Sequence, residues 1–422
     1  MQAPLTLKIP NTYESKRVRL ESPILHIASS VSRLNRFEYV QTSNKVYLPN
    51  TEAIAKAFKS RGVLYEYIQA INEGQSITNL LKQAFGEEWW NATDENDEAV
   101  FPQSAISQKI TEETITDLRP MIRNGMGQLY IPGSSIKGAI RTAIAYHLLK
   151  HSDRYKVPAE KRVSEIEAKL RAKLGSLKRD AKKADDDLFM ESLFSDFVLT
   201  YHDRVFTGRS QNTDFLRALK VSDCEPLIEY KATTKQGKQK RLNYPVVAEV
   251  IVSSCFPDYL AKYRASIFAE MVRSINTEFT LTLDTQMLTW FKHKQEMQIP
   301  FSTLDELMKI CQEFAQDQWD YERGYWNDIR NNPRASGKNL DFSYIRELYQ
   351  LEKCPFTLRL GWGSGMIGTT VDLLFDDELR EQIRDNCGLS APNFEAPKSR
   401  RTIRNINGDI RDVPGWVKFK FI

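Results

Sequence analysis

The sequence has few of the features that mark secreted, membrane or redox proteins. Its five cysteines are scattered over 422 residues without a Cys-x-x-Cys pair, which argues against a disulfide framework and against a cysteine-based zinc site. No run approaches the roughly 18 uninterrupted apolar residues of a membrane helix, and residues 1–10 lack the apolar core of a secretory signal. We therefore expect no membrane partner and a location in the reducing cytoplasm.

A strong net charge is also missing. The chain has 59 Lys and Arg against 55 Asp and Glu, a formal net charge of +4, so an anionic partner such as nucleic acid would need a local cluster of cations. The hydrophobic share of 41% and the aromatic share of 11% are enough for a sizeable core. The length predicts two or three domains.

The hydrophobic pattern of the amino-terminal half predicts strands, a hairpin and helices. Residues 17–27 are typical of a strand, residues 37–48 of a short hairpin after a polar turn, and residues 51–70 of a helix. Residues 154–183 hold eleven Lys or Arg against four Asp or Glu. Their apolar residues lie three and four positions apart, as in a helix with one packed face.

The carboxyl-terminal half repeats this mixture. Strand-like runs precede a long helix at residues 304–325, a basic tail spans residues 398–411, and residues 416–421 alternate like a closing strand. Because strands and helices interleave without regular βαβ repeats, we predict an α+β fold built from two half-similar units.

The most informative segment is residues 130–141, Y-I-P-G-S-S-I-K-G-A-I-R. Its first glycine permits a tight turn, either serine can cap the helix that follows, and the two cations lie one helical turn apart. A helix N terminus with adjacent cations is suited to bind phosphate, although an ordinary capped helix with a solvated basic pair is the alternative. The candidate RNA-binding residues of this segment are Gly133, Ser134, Ser135, Lys137 and Arg141.

A second glycine-rich segment, residues 358–368, has the spacing G-x-G-x-x-G after a strand. A dinucleotide fold is disfavoured because too few residues follow to complete its sheet. A loop that lets a nucleic-acid backbone lie against peptide N–H groups fits better, and its tryptophan could stack on a base. A tight hairpin and a core tryptophan are the alternatives. The candidate RNA-binding residues here are Gly361, Trp362, Gly363, Ser364 and Gly365.

Signals of catalysis or of a metal centre are weak. His147 and His151 are one helical turn apart, but no carboxylate stands between them and Lys150 adjoins, so no metal site and no cofactor are predicted. His26, at the end of the first strand, could act as a general base in RNA cleavage, with a structural role as the alternative. Residues 231–241 resemble a basic hairpin that could contact nucleic acid.

Taken together, these segments resemble the RAMP (repeat-associated mysterious protein) superfamily of CRISPR proteins. Residues 130–141 are similar to its signature, residues 361–368 resemble its glycine-rich loop, and residues 21–27, E-S-P-I-L-H-I, resemble its first strand. The combination is most similar to the type III-A (Csm) subunit that caps the 3′ end of the guide RNA.

This resemblance implies an architecture of two ferredoxin-like domains, related to the RNA-recognition motif and carrying helical insertions. The first would span residues 1–190 and the second, which holds the glycine-rich loop, residues 191–422. Arg33 and Arg36, in the loop after the first strand, would also contact RNA. That loop lacks the aspartate with which backbone subunits cut target RNA, so target cleavage by this chain is not expected.

The resemblance also implies a function in antiviral defence. The chain would be a non-catalytic subunit that binds the guide RNA (crRNA), contacts backbone RAMP subunits and small helical Csm subunits, and supports crRNA maturation by host nucleases. The main alternative is a RAMP endoribonuclease that processes precursor crRNA with His26 as the base. A nucleotide-binding enzyme and a backbone RAMP subunit are further alternatives.

Overall fold

A large mixed sheet is the centre of the computed structural model, which describes residues 12–177, 186–201, 204–208, 210–228, 230–231, 240–241 and 245–422. In chain order the strands are β1 (Tyr13–Leu25), β2 (Val40–Gln41), β3 (Lys45–Tyr47), β4 (Ile106–Lys109), β5 (Leu118–Arg119), β6 (Phe197–Tyr201), β7 (Arg204–Phe206), β8 (Leu219–Val221), β9 (Tyr230–Lys231), β10 (Lys240–Arg241), β11 (Pro245–Ser254), β12 (Lys262–Asp284), β13 (Phe291–His293), β14 (Asn332–Ala335), β15 (Lys338–Leu340), β16 (Leu358–Arg359), β17 (Ser399–Arg404), β18 (Ile410–Asp412) and β19 (Trp416–Phe421). The helices are α1 (Thr51–Ser60), α2 (Leu64–Asn72), α3 (Thr78–Phe85), α4 (Gly133–Lys150), α5 (Val163–Leu177), α6 (Glu191–Ser195), α7 (Thr285–Trp290), α8 (Leu304–Asp328), α9 (Ser343–Tyr349), α10 (Gly365–Thr369) and α11 (Asp377–Asn386).

Strand β12, 23 residues long, organises the sheet by pairing along its length with β1 and β11. The main path is β16-β19-β1-β12-β11-β4-β3-β2, and β17 pairs with the other edge of β11. The run P-V-V-A-E-V-I-V in β11 is buried almost throughout, as expected of a strand covered on both faces. The predicted closing strand is confirmed, because β19 pairs with β1 through Val18 and Phe421.

Helices α4 and α8 pack against each other over one side of the core. The sequence of α4 has an apolar residue at every fourth position, which predicts one buried face, and Ile136, Ile140, Ile144 and Leu148 are indeed all fully buried. Helix α8 confirms the predicted long helix and starts with a capping box, in which Thr303 accepts from the amide of the third helical residue. No helix among the described residues is both long enough and apolar enough to span a bilayer.

Several sequence predictions change in detail. The single helix predicted over residues 51–70 is wrong: α1 ends where Gly62 takes a φ of +75°, and α2 starts two residues later. The basic helix predicted over residues 154–183 starts later than predicted, because α5 begins at Val163. Residues 178–183 of that prediction and residues 232–239 of the basic hairpin lie outside the described residues.

The predicted combination of strands and helices in one α+β chain is confirmed, whereas the division into two ferredoxin-like domains stays a prediction. The large sheet contains β1 and β4 from before residue 190 and β11, β12 and β19 from after it. Strands from both predicted units therefore share one sheet.

Candidate nucleic-acid interface

The opening of α4, which the sequence predicts to bind phosphate, is covered by the chain itself. The N–H of Gly133 donates to Oδ1 of Asp223 at 2.7 Å. A Cβ on Gly133 would lie 2.4 Å from the carbonyl oxygen of Val221, so only glycine fits beneath this segment. Neither serine caps the helix: Pro132 is the N-cap residue, Ser134 is exposed and Ser135 is partly exposed.

The two cations of the same motif have partners inside the protein. Lys137 donates to the carbonyl oxygen of Leu219 at 2.7 Å, and burial lowers the pKa of its ammonium group. Arg141 forms an ion pair with Asp214 at 2.5 Å and lies 3.9 Å from the ring centre of Phe194. A phosphate at this position would compete with these internal contacts.

The glycine-rich loop packs on the end of the first strand. Gly361 has a φ of +78°, and a Cβ there would lie 2.4 Å from the carbonyl oxygen of His26. That oxygen accepts the N–H of Trp362 at 2.9 Å. Ser364 closes the turn by donating to the carbonyl oxygen of Gly361 at 2.9 Å, after which Gly365 starts the short helix α10. The fold thus joins two motifs separated by more than three hundred residues.

Trp362 lies on one face of the sheet between two arginines. The guanidinium groups of Arg119 and Arg401 lie 5.3 Å and 5.2 Å from its ring centre. The strand register places the two arginines on one face, because Arg119 is opposite Ala269 on β12 and Arg401 is opposite Val252 on β11. All three side chains are partly exposed.

Positive charge accumulates here without compensation. Partial burial, and then repulsion from Arg119 and Arg359, lower the pKa of Arg401. Within the described part of the chain, the Nε atoms of Arg119 and Arg401 are buried without a hydrogen-bond partner. We call Arg119, Trp362 and Arg401 the arginine–tryptophan face. Clustered cations without counter-charges beside a half-exposed aromatic ring favour an anionic ligand that also carries planar groups.

The loop after β1 borders this face. Its backbone bridges to β5 at Leu34 and Leu118, and Arg119 donates to the carbonyl oxygen of Ser32 at 3.4 Å. Arg33 and Arg36 are exposed, and Arg33 lies 3.4 Å from the carboxylate of Asp117. The loop thus carries two exposed arginines next to the strand that holds Arg119, and their contact with RNA stays a prediction.

A cavity of about 700 Å³ adjoins the glycine-rich loop and is continuous with the arginine–tryptophan face, since Trp362 and Arg401 also line it. Its lining includes the cations Arg359, Arg384, Lys398 and Arg400 and apolar side chains such as Leu170 and Leu174 of α5. Arg384 and Arg400 are buried, and both donate to backbone carbonyl groups. Glu322 also lines the cavity and forms an ion pair with Arg400 at 2.8 Å, so part of the positive charge of the cavity is compensated inside the protein.

A buried carboxylate positions the segment that carries Arg119. Glu270 on β12 is 1% exposed and binds Arg123 through two hydrogen bonds of 2.8 and 2.6 Å. It also accepts from the N–H of Met121 at 3.0 Å and the hydroxyl of Ser107 at 2.7 Å. Glu270 thus fixes residues 121–123 to the sheet, directly after β5.

His26 is in a structural setting. Its side chain is 1% exposed, its Nδ1 lies 2.6 Å from the carbonyl oxygen of Glu270, and its ring meets the edge of Trp362 at 5.5 Å. Burial lowers its pKa. A buried imidazole of this kind supports the loop and has no open path to an RNA hydroxyl.

Sequence patterns did not identify Arg119, Arg359 or Arg401 as site residues. Arg401 lies in the basic tail and Arg359 immediately before the glycine-rich loop. Their closeness to these segments is the one feature of the sequence that could have identified them. Arg119 belongs to none of the segments that the sequence singled out, and the pairing of β5 with β12 brings it to the site.

The protein is similar to CRISPR-associated proteins of known sequence or structure. It is 24% identical over 170 residues to the CRISPR system Cms protein Csm5 of Enterococcus italicus, a match that covers 34% of this chain and 48% of that protein. The matched region thus spans about half the length of that relative.

Two solved structures share the fold. One chain of a cryo-EM structure of a Csm–crRNA–target RNA ternary complex from a type III-A CRISPR–Cas system superposes with a TM-score of 0.60 at 21% identity, covering 96% of this chain and 100% of that one. The crystal structure of T. onnurineus Csm5 superposes with a TM-score of 0.55 at 18% identity, covering 96% of this chain and 100% of that one. Residues 17–352, most of the sequence, match the RAMP superfamily. The signature segment, the glycine-rich loop packed on the first strand and this match lead to one conclusion: the chain belongs to the RAMP superfamily.

Proposed function

We propose that the chain is the guide-RNA-binding subunit at the 3′-end side of a type III-A (Csm) CRISPR effector complex. The observation that carries the proposal is the arginine–tryptophan face, whose clustered guanidinium groups lack carboxylate partners among the described residues. The likeness to Csm5 and to a chain of a complex that contains crRNA supports the choice of ligand.

The RNA would be held by its backbone and by stacking, largely independent of its sequence. Arg119 and Arg401 would bind phosphates, and Trp362 would stack on a base. Arg33 and Arg36 would extend the contact along the loop after β1. The α4 opening is a secondary contact in this proposal, because Lys137 and Arg141 already have internal partners.

The partners would be the other components of the complex. We propose backbone RAMP subunits and small helical Csm subunits as protein neighbours, host nucleases as partners in crRNA maturation, and the cytoplasm as the location. Two ferredoxin-like units, residues 1–190 and 191–422, would present one RNA-binding face, which agrees with the sharing of one sheet by strands from both.

The proposed role is non-catalytic. The alternative, cleavage of precursor crRNA, needs a general base that reaches the RNA. His26 does not meet this need, because it is buried and hydrogen-bonded to a backbone carbonyl, and burial lowers its pKa. We therefore expect repeat RNA incubated with the full chain to stay intact. Cleavage that a His26→Ala variant abolishes would favour the endoribonuclease instead.

RNA binding is tested by removing charge from the arginine–tryptophan face. An Arg119→Ala/Arg401→Ala variant should bind labelled single-stranded RNA of guide length about 10-fold more weakly near 0.1 M salt. Because each lost phosphate contact lowers the salt slope by about 0.7, the slope of log affinity against log salt should fall by roughly 1.4. Fluorescence anisotropy over a range of KCl concentrations measures both.

A matched control removes the same charge elsewhere. Arg17 is already paired with Glu225 and Glu278, and Arg323 with Asp320, so an Arg17→Ala/Arg323→Ala variant should keep the wild-type slope. An equal loss in both variants, or an unchanged slope in the first, would contradict the proposed interface. A Lys137→Ala/Arg141→Ala variant measures the contribution of the α4 opening, which we expect to be smaller.

A further inference from the structure

Two histidines and a carboxylate converge where the end of α4 meets α8. His147 and His151 lie one helical turn apart at the end of α4, and Glu313 faces both from α8. Nε2 of His151 lies 2.8 Å from one oxygen of Glu313, and Nδ1 of His147 contacts the other. One donor atom from each residue lies within 4.8 Å of the other two. A single ion could therefore contact all three side chains.

The surroundings hold these donors in place. Nε2 of His147 lies 2.9 Å from the hydroxyl of Tyr155, which fixes the imidazole and leaves Nδ1 facing Glu313. The side chains of His147, His151 and Glu313 are 11%, 34% and 25% exposed, so an ion can enter from solvent.

We propose that His147, His151 and Glu313 bind one divalent transition-metal ion, best matched by Zn²⁺. Two imidazole nitrogens and one carboxylate oxygen are a common zinc ligand set with a further position for water, and imidazoles disfavour Mg²⁺ and Ca²⁺. The ion would clamp α4 to α8 and so stabilise the core. It takes no part in RNA binding, so this inference stands apart from the proposed function.

Lys150 is the competitor for this site. Its ammonium group lies 3.0 Å from Glu313 and 2.5 Å from Asp317. When an ion binds Glu313, Lys150 can keep its contact with Asp317, which also accepts from Tyr146 at 2.7 Å. A Lys150→Met variant should therefore bind the ion about 2- to 5-fold more tightly, because the carboxylate loses its nearest competing cation.

Metal titration of the full-length chain, purified with chelator, tests the site. Zn²⁺ at about a hundred times its dissociation constant should raise the melting temperature by roughly 3 °C for a chain of this size. Co²⁺ should bind at one ion per chain and give visible absorption bands. His151→Ala should abolish both effects. His293→Ala is the matched control: His293 lies outside the cluster beside Lys161, and this variant should retain both effects.

The results distinguish a built site from adventitious binding. Absence of Co²⁺ bands and of a thermal shift in the wild-type chain would overturn the proposal. So would equal metal effects in the His151→Ala and wild-type chains, or loss of binding in His293→Ala as well. Loss of metal binding in His151→Ala but not in His293→Ala, together with tighter metal binding in Lys150→Met, would support the proposed site.

Discussion

Replacing Arg123 by methionine should destabilise the protein strongly, because the change leaves a charge buried. Glu270 is 1% exposed and Arg123 is its only cationic partner among the described residues, at 2.6 Å. Methionine keeps much of the apolar stem but removes both hydrogen bonds to the carboxylate. The remaining donors, the hydroxyl of Ser107 and the N–H of Met121, are neutral.

The expected loss is about 3–5 kcal/mol of unfolding free energy, the range found when one partner of a buried ion pair is removed. For a chain of 422 residues this corresponds to a melting temperature lower by about 3–6 °C. Adding Glu270→Gln to Arg123→Met should restore more than half of the loss, because the buried group is then neutral. Arg19→Met is the control: its ion pair with Glu278 is only partly buried, Glu278 keeps its contact with Arg17, and the change should cost less than about 1 kcal/mol.

The pH dependence carries a second check. In the wild-type chain burial opposes ionisation of Glu270, but the charge and hydrogen bonds of Arg123 outweigh it, so its pKa lies below the usual value. That stabilisation is present above the unfolded pKa and is lost as pH falls through the folded one. Without Arg123, burial raises the pKa of Glu270. As pH falls, protonation of Glu270 removes the buried charge, so the variant becomes more stable. The gap between the two melting temperatures should thus shrink from pH 7 to pH 5; a gap under 1 °C at pH 7, or one that widens in acid, would refute the reasoning.

Three further substitutions should have smaller effects on stability. Gly361→Ala should cost roughly 2–3 kcal/mol, because the residue has a positive φ and its Cβ would meet the carbonyl oxygen of His26 at 2.4 Å. Gly365→Ala, with a similar φ but open space, should cost only about 1 kcal/mol, and equal thermal shifts would contradict this account. Thr303→Ala should cost about 1 kcal/mol by removing the capping box of α8; a melting temperature within error of wild type would count against a stabilising cap.

Local patterns were enough to place much of the fold. The four-residue stripe of α4, the long helix α8 and the alternation of β19 each depend on near neighbours in the chain, so the sequence predicts them. The break between α1 and α2 was not predicted, because Gly62 ends a helix that the hydrophobic pattern alone would continue.

The site was less predictable because its geometry depends on distant contacts. Lys137 and Arg141 form a cationic pair in the sequence, yet Leu219 and Asp214 provide partners that no local pattern shows. The same holds for the metal-site candidate, since the carboxylate that His147 and His151 lack on their own helix comes from α8. Arg119 likewise acquires its place only when β5 pairs with β12.

The pairing of β1 with β12 and β19 has a consequence for biosynthesis. The first strand leaves the ribosome more than two hundred residues before either partner. At about 5–20 residues per second, it waits roughly 10–50 s with both edges unpaired. Such long-range strand pairing is slow to form and leaves an aggregation-prone segment exposed meanwhile. Both edges of β1 can therefore be covered only after residues 416–421 have been synthesised, and until then the strand can pair with other chains.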